Sequence, residues 1–487
     1  MRNMLTFPAP FDGKRLAAVL VLWIFLGAIF SLSAQAQEVV MVGMGDSIGE
    51  GVQSADANLR TQPYSYLNFI AGQMGIHFPL PLIRSSPIGV IGDTTFRSRV
   101  WPHVRGLNLS VSGADVDSLL YEGADALNEG QIDSETDLVL FPRLGSQMEV
   151  GESIGAPLVV CWIGNNDVLS AALSFDELDA SQMTSEDEFK RDFWDIAERL
   201  GTLGGDVVFA NIPDVTNIGF LIDRQDLIRF LGDDFDFPEG YYTSIVVMLL
   251  IRLGLDDGNL LKNPDFVLDA GEVAKIQGRI EAFNAIIEEA AISIGAPVVD
   301  INALFDDANE TPPTFFGIPV TPRFLGGIFS LDGVHPSNIG HAVAANAFIE
   351  TINSHFPRNI PPISQGELEL IFLGDPSQDK DGDCRVSGRF GAGLLETLGP
   401  LLGISGDKND FIPDPYPLRI DPSLVEQFIR EFLTLHGKDP DRASQWDTRD
   451  AIEAFREIFG AKIFERSLAQ YRGADELIDG DIIWRGM

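Results

Sequence analysis

Cysteine and histidine are scarce in this chain of 487 residues, which has two cysteines and six histidines. Two cysteines allow at most one disulfide, and we expect none, because Cys161 lies in an apolar predicted strand and Cys384 in a polar loop of another region. The sequence also lacks zinc-ligand spacing, a phosphate-binding glycine loop and internal repeats. These absences argue against a disulfide-rich scaffold, a zinc enzyme, a P-loop protein and a solenoid.

Basic residues are also few, since 34 Lys and Arg face 72 Asp and Glu, giving a formal net charge of −38. Such a chain repels nucleic acid and anionic lipid surfaces. We therefore expect no nucleic-acid partner.

The N-terminal region reads as a secretory signal peptide over residues 1–36. Basic residues precede an apolar stretch from Leu16 to Leu32, and Ala34-Gln35-Ala36 provides a small-residue cleavage site. A membrane anchor is the alternative, but a 17-residue stretch is at the short limit for spanning a bilayer. We expect a secreted or periplasmic protein without a stable membrane anchor after cleavage.

The central region alternates apolar strands with amphipathic helices, which predicts an α/β fold with a parallel sheet covered on both faces. The predicted strands are Val39 to Gly43, Gly106 to Val111, Leu158 to Ile163, Asp206 to Asn211 and Ala296 to Ile301. The predicted helices include Tyr64 to Gln73, Glu186 to Leu200, Gly271 to Ile294 and Ser337 to Ser354.

Five residues at the ends of these strands or in the following loops have the chemistry of acyl transfer. Ser47 can act as a nucleophile if His335 takes its proton and Asp332 orients the imidazole. Gly113 and Asn166 each follow an apolar strand, so the Gly113 N–H and the Asn166 amide, with the Ser47 N–H, could bind an oxyanion. Taken singly, each block could be an ordinary turn or helix cap.

The blocks Gly45-Asp46-Ser47-Ile48-Gly49, Gly113, Gly164-Asn165-Asn166-Asp167 and Asp332-Gly333-Val334-His335, in this order, resemble the SGNH subgroup of the GDSL hydrolases. The resemblance covers residues 38–355 and implies a three-layer α/β/α domain and serine esterase or lipase activity. It implies Ser47 as nucleophile, His335 as base, Asp332 as its partner, and Ser47, Gly113 and Asn166 as oxyanion donors, with no cofactor for catalysis. Ile48 replaces the leucine of the family motif, a swap that conserves volume.

Two alternatives remain at this point. Gly45-x-Ser47-x-Gly49 also fits the nucleophile elbow of α/β-hydrolases, although the serine follows the first strand and no His-Gly-Gly-Gly run is present. A catalytically idle surface-binding protein, whose C-terminal module recognises a partner, is the rival from another class. The substrate of an active enzyme would be an ester of a lipid, or an acylated small molecule or carbohydrate, and the sequence fixes neither its acyl length nor its alcohol.

The chain divides into a hydrolase domain over residues 37–356, a linker over 357–365 and a mainly helical C-terminal module over 366–487, whose predicted helices are Ser423 to His436 and Thr448 to Phe459. We predict a cap insertion over residues 214–268. Its apolar run, Tyr241 to Ile251, is either a helix packed on the core or a lid over the serine.

An acidic loop opens the predicted C-terminal module. Asp379, Asp381 and Asp383 stand at alternate positions, as in the first half of an EF-hand or dockerin-like calcium loop. Cys384 replaces the glycine of the sharp turn, and Phe390 replaces the closing carboxylate. The loop is therefore a candidate structural calcium site or a solvated turn.

Overall fold

The computed structural model describes residues 39–84, 97–173, 182–232, 235–388, 399–400 and 402–407. The predicted signal peptide, the two helices predicted after residue 420 and Phe390 lie outside these ranges. Within them, no helix is both long enough and apolar enough to cross a membrane.

A parallel sheet forms the centre of the fold. The strands of the described residues are β1 Met41–Gly45, β2 Leu158–Trp162, β3 Asp206–Ala210, β4 Leu221–Ile222, β5 Tyr242–Ser244, β6 Val267–Leu268, β7 Val298–Val299, β8 Thr314–Phe315 and β9 Ile318–Pro319. The central sheet has the order β1-β2-β3-β7, with all pairs parallel. The 107–111 segment adds to the free edge of β1, where the Gly43 N–H donates to the Leu107 carbonyl at 3.0 Å. The chain order across the sheet is therefore second, first, third, fourth, fifth, a doubly wound arrangement.

Helices cover both faces of this sheet. The α-helices of the described residues are α1 Ser47–Glu50, α2 Tyr66–Met74, α3 Val116–Tyr121, α4 Glu135–Leu140, α5 Gln147–Ile154, α6 Asn166–Leu173, α7 Glu186–Gly201, α8 Arg224–Leu231, α9 Ile245–Arg252, α10 Ala270–Ile294, α11 Ile301–Glu310, α12 Asn338–His355 and α13 Gln365–Gly374. Helix α12 packs on α2 and α13, whereas α3, α5, α7 and α10 form a second packed layer. The three-layer α/β/α fold predicted from the sequence is confirmed.

Burial explains why these segments take these positions. Strands β1 and β2 are buried at every residue, as expected for the middle of a parallel sheet with two covered faces. Helix α10 instead buries one stripe, which includes Ile276, Ile280, Phe283 and Ile287. Both cysteines are free, and Cys161 is buried within β2.

The predicted insertion contains an antiparallel sheet of its own, with strand order β4-β5-β6. The apolar run divides between β5 and α9, and residues 245–250 are buried. This burial favours a helix packed inside the protein over an apolar surface offered to substrate. The Phe220 N–H donates to the Gly333 carbonyl at 2.8 Å, so the start of the insertion lies against the loop that carries Asp332 and His335.

The segment after α12 stays close to that helix. The Asn353 side chain accepts from the Ile360 N–H at 2.8 Å, and the Asn346 side chain accepts from the Ile363 N–H at 2.8 Å. Further along, buried Asp375 accepts from the Ile339 N–H at 2.9 Å. The predicted linker and the start of the predicted C-terminal module are thus hydrogen-bonded to α12.

Candidate active site

Three neighbouring parallel segments end at one edge of the central sheet and bring the candidate residues there. Gly45, at the end of β1, pairs with Trp162 of β2, and its carbonyl accepts from the Val111 N–H at 3.1 Å. Ser47 and Gly113 each lie two residues beyond this register, and Asn166 lies four beyond it. This is the point where the strand order reverses, at which doubly wound sheets bind ligands.

Ser47 is the first residue of α1, a single turn that begins directly after β1. The Asp46 side chain caps this turn by accepting from the Ile48 N–H at 2.9 Å. Gly51 ends it in the left-handed conformation, with φ of 92°. The sequence Gly-Asp-Ser therefore forms a strand end, a helix cap and a first helical residue, which fixes the serine at the edge of the sheet.

Ser47, His335 and Asp332 form a continuous hydrogen-bonded chain. His335 Nε2 lies 2.9 Å from Ser47 Oγ, and His335 Nδ1 lies 2.7 Å from Asp332 Oδ2. Ser47 is 8% exposed and the His335 side chain 14%, so both are mostly shielded from solvent and still open to a substrate. The structure therefore joins all three residues in the arrangement that general-base activation of a hydroxyl requires.

The Asp332 carboxylate is held by donors from three directions. The Val334 and His335 N–H groups donate to Oδ1, each at 2.9 Å, and the Ala55 N–H donates to Oδ2 at 2.7 Å. Burial alone would raise the pKa of Asp332, but the nearby His335 and these hydrogen bonds outweigh it and lower that pKa below its ordinary value. Asp332 therefore stays ionised beside the imidazole.

Gly113 and Asn166, the other candidate donors, lie on either side of Ser47. Gly113 is exposed and has φ of 82°, a conformation that glycine adopts without strain. The half-buried Asn166 side chain donates to the Ala114 carbonyl at 2.7 Å, which joins the two loops. An amide nitrogen carries two hydrogens, so this bond leaves one N–H for a substrate oxygen.

Two residues at the site, Asp46 and Asn165, have roles that the sequence did not predict. Asn165 is buried and donates from Nδ2 to Asp46 Oδ2 at 2.7 Å, so it supports the cap of α1. Burial raises the pKa of Asp46 to about 6, although bonds from Asn165 and Ile48 oppose this. The capping role of Asp46 has a sequence signal, an aspartate before a helix, but its bond to Asn165 does not.

His341 is fully buried on α12. Burial, with a smaller effect of His335, lowers the pKa of His341 to about 3, so this ring is neutral. It is a packed side chain behind the site.

The acidic loop lies on the segment after α13. Carboxylate oxygens of Asp379, Asp381 and Asp383 lie within 4.8 Å of one another. Asp379 also accepts from the Gly382 N–H at 2.8 Å and the Cys384 N–H at 2.9 Å, bonds that close the turn. Cys384 has φ of 64°, so it adopts the left-handed conformation for which glycine is preferred. The backbone and three acids fit the first half of a calcium loop, and the turn also has hydrogen bonds that need no ion.

Comparison with protein families identifies one match over most of this region. The model of the family described as GDSL-like lipase/acylhydrolase matches residues 41–348. This range contains all five candidate residues, from Ser47 to His335.

Solved structures similar to this chain include an acetylxylan esterase and an α/β hydrolase enzyme. The acetylxylan esterase Axe2 from Geobacillus stearothermophilus has 15% sequence identity and a TM-score of 0.32, over 65% of this chain and 94% of that chain. LAE5, an α/β hydrolase enzyme from the metagenome of Lake Arreo in Spain, has 13% identity and a TM-score of 0.32, over 66% of this chain and 98% of that chain. The search of curated proteins gave no match.

Proposed function

We propose that an acyl-enzyme forms on Ser47 of this chain, which belongs to the GDSL-like lipase/acylhydrolase family and is therefore a carboxylic ester hydrolase. The observation that carries this proposal is the hydrogen-bonded chain in which His335 Nε2 lies 2.9 Å from Ser47 Oγ and His335 Nδ1 lies 2.7 Å from Asp332.

In the first half of the reaction, Ser47 Oγ attacks the ester carbonyl carbon while His335 takes the hydroxyl proton. The carbonyl oxygen becomes negative and accepts hydrogen bonds from the Ser47 and Gly113 N–H groups and the Asn166 amide. His335 then gives its proton to the alcohol oxygen as the carbon–oxygen bond breaks, leaving an acyl group on Ser47.

In the second half, His335 takes a proton from water, and the resulting hydroxide oxygen attacks the acyl carbon. The same donors bind the oxyanion, and His335 returns the proton to Ser47 as the carboxylic acid leaves. Asp332 remains ionised throughout and stabilises the imidazolium.

The substrate class we propose is an ester of a lipid, or an acylated small molecule or carbohydrate, met outside the cell or in the periplasm. Export is supported by the signal-peptide pattern of residues 1–36. A series of p-nitrophenyl esters of increasing acyl length, compared by kcat/KM, would define the acyl preference.

Single and double substitutions test the mechanism. Ser47→Ala and His335→Ala should each remove most ester turnover, and the double variant should lose little more, because the two residues act as a unit. An organophosphonate should label Ser47, as mass spectrometry of a digest would show. Retained turnover in Ser47→Ala, or labelling of another serine, would refute the assignment.

A further inference from the structure

Glu50 is a buried carboxylate between the nucleophile and the oxyanion loop. It is the last residue of α1, the helical turn that begins with Ser47, and it is 0% exposed. Its Oε2 accepts from the Ser112 N–H at 2.8 Å and also from the Ser112 hydroxyl. Ser112 directly precedes Gly113, so one carboxylate oxygen joins the nucleophile helix to the turn that carries a candidate oxyanion donor.

The other oxygen of Glu50 faces a buried guanidinium group. Arg97 Nη2 lies 4.0 Å from Glu50 Oε1 and 3.8 Å from Asp56 Oδ1, and all three side chains are shielded from solvent. Arg97 also bonds to Glu135 and donates to the Ala57 carbonyl at 2.9 Å. These contacts fix the position of Arg97, whose guanidinium group faces Glu50 Oε1, an oxygen that accepts no hydrogen bond from the described residues.

The same ionic cluster reaches the acid of the triad. Asp56 and Ala57, which contact Arg97, follow Ala55, whose N–H donates to Asp332 Oδ2 at 2.7 Å. Ala55 has φ of 66°, a strained conformation for a residue with a side chain, and such strain concentrates at functional sites. Arg97 therefore contacts both Glu50, on the helical turn of Ser47, and the segment whose Ala55 N–H donates to Asp332.

A buried ion pair is weak evidence for stability, because apolar residues of equal volume often stabilise a fold as well or better. Unlike an apolar side chain, a carboxylate provides a hydrogen-bond acceptor at a fixed position for the Ser112 N–H and hydroxyl. Oxyanion donors must be preorganised at 2.7–3.1 Å from the developing charge, and a displacement of about 1 Å can reduce the rate by about a hundredfold.

We propose that Glu50 is a positioning residue, which holds the Gly113 N–H at the place where the oxyanion forms. It does not touch the reacting atoms and acts through Ser112. This inference rests on the proposed function, since it assumes that Ser47 is the nucleophile and Gly113 an oxyanion donor.

The test compares variants of the full chain at equal folded fraction. In Glu50→Ala, kcat should fall by about ten- to a hundredfold with KM within about twofold, because ground-state binding does not use the oxyanion donor. Glu50→Gln keeps an acceptor atom for Ser112 and should recover kcat to within about fivefold of the unmodified chain. Ile287→Ala, which truncates a buried residue of α10, is the control for lost stability and should leave kcat unchanged.

Binding of an alkylboronic acid supplies a second readout, because its tetrahedral adduct on Ser47 places an oxygen at the oxyanion position. Its Kd should rise in Glu50→Ala by about the same factor as kcat falls, as expected for a transition-state analogue. A residue with a purely structural role would lower the melting temperature and leave this Kd unchanged.

If Glu50→Ala does not fold, Glu50→Asp decides, since it keeps a carboxyl group on the side of Arg97 and is one methylene too short for Ser112. A kcat and a boronate Kd within twofold of those of the unmodified chain, in whichever of these two variants folds, overturn the inference. If neither of these variants folds, Glu50→Gln decides. Loss of ester turnover in folded Glu50→Gln also overturns the inference. Ser47→Ala separates the two proposals: its inactivity supports the proposed function whatever Glu50 does.

Discussion

Asp46, the residue before Ser47, has a carboxyl side chain and is 1% exposed. Its folded-state pKa of about 6, raised by burial, exceeds the value of about 3.9 expected in the unfolded chain. The folded state therefore binds this proton more tightly, so the contribution of Asp46 to stability is greatest below pH 4 and is lost as the pH rises towards 6.

Asp46→Asn should remove this pH dependence, because the amide stays neutral and can still cap α1. We expect the difference in unfolding free energy, variant minus unmodified chain, to rise by about 3 kcal/mol between pH 3 and pH 7. Urea unfolding at a series of pH values measures it. A difference that does not change with pH would contradict the raised pKa.

Asn165 and Asn166 are adjacent asparagines with different partners, and they form a matched pair for mutation. Asn166→Ala should lower kcat by about a hundred- to a thousandfold with little change in KM, because it removes one donor to the oxyanion. Asn165→Ala should cause a smaller loss of kcat and a larger loss of stability at neutral pH, since it removes the hydrogen bond to the ionised Asp46. Steady-state kinetics and thermal melts of both variants test this, and equal effects on kcat would contradict the assignment.

At the scale of elements, the start of the insertion contacts Gly333, in the loop that carries Asp332 and His335. This glycine has φ of 70°, and a Cβ there would lie 2.5 Å from the Phe220 nitrogen. An added methyl group would have to displace either Phe220 or the backbone between Asp332 and His335. The insertion therefore restricts the position of the loop that carries Asp332 and His335.

Gly333→Ala should reduce kcat/KM by at least about tenfold, because a shift of about 1 Å in the loop misplaces the base. Gly254→Ala is the matched control: Gly254 has φ of 69°, but a Cβ there meets nothing within 4 Å. Its cost should be limited to about 1–2 kcal/mol of left-handed strain, with kcat/KM unchanged. Similar kcat/KM in both variants would show that the contact with Phe220 does not matter.

The elements that the sequence predicted are the long helices and the strands of the central sheet. Apolar runs predicted the strands of the central sheet, and apolar stripes with a 3.6-residue period predicted the helices between them. Helix α10 was predicted to within one residue of its observed start. The sheet of the insertion was not predicted, because its strands of two or three residues show no period, whereas the equally short β7 fits the alternation of strands and helices along the chain.

The candidate site also contains some residues that the sequence predicts and others that it does not. Ser47, His335 and Asp332 were predictable because their motifs give each residue type a chemical role. Glu50 and Arg97 were not, since their importance comes from contacts between residues far apart in the chain, and nothing local distinguishes them from surface charges. The bond between Asn165 and Asp46 is likewise revealed only by the structure.

At the scale of the whole molecule, a net charge of −38 makes any cation a general stabiliser by screening self-repulsion. A specific calcium site must therefore be distinguished from ionic strength. Burial raises the pKa of Asp383 in this loop, and the nearby carboxylates of Asp407 and Asp381 raise it further. The effect of these two carboxylates is the one expected in a crowded anionic site.

We predict that CaCl2 raises the melting temperature of the full chain above that in NaCl of equal ionic strength. A hundredfold excess over the Kd would add about 2.7 kcal/mol. The double variant Asp381→Asn/Asp383→Asn should lose this difference and keep the response to NaCl. Equal melting temperatures in the two salts would identify the loop as an ordinary turn.

The separation of Ser47 and His335 by 288 residues has a consequence for the timing of activity. Synthesis produces Ser47 early and His335 late, so under the proposed mechanism a nascent or unfolded chain contains the serine without its base. Contacts of such long sequence range also form slowly. Ester turnover during refolding should therefore appear after the tryptophan fluorescence signal, and a hydrolase of this design remains silent until its folding is complete.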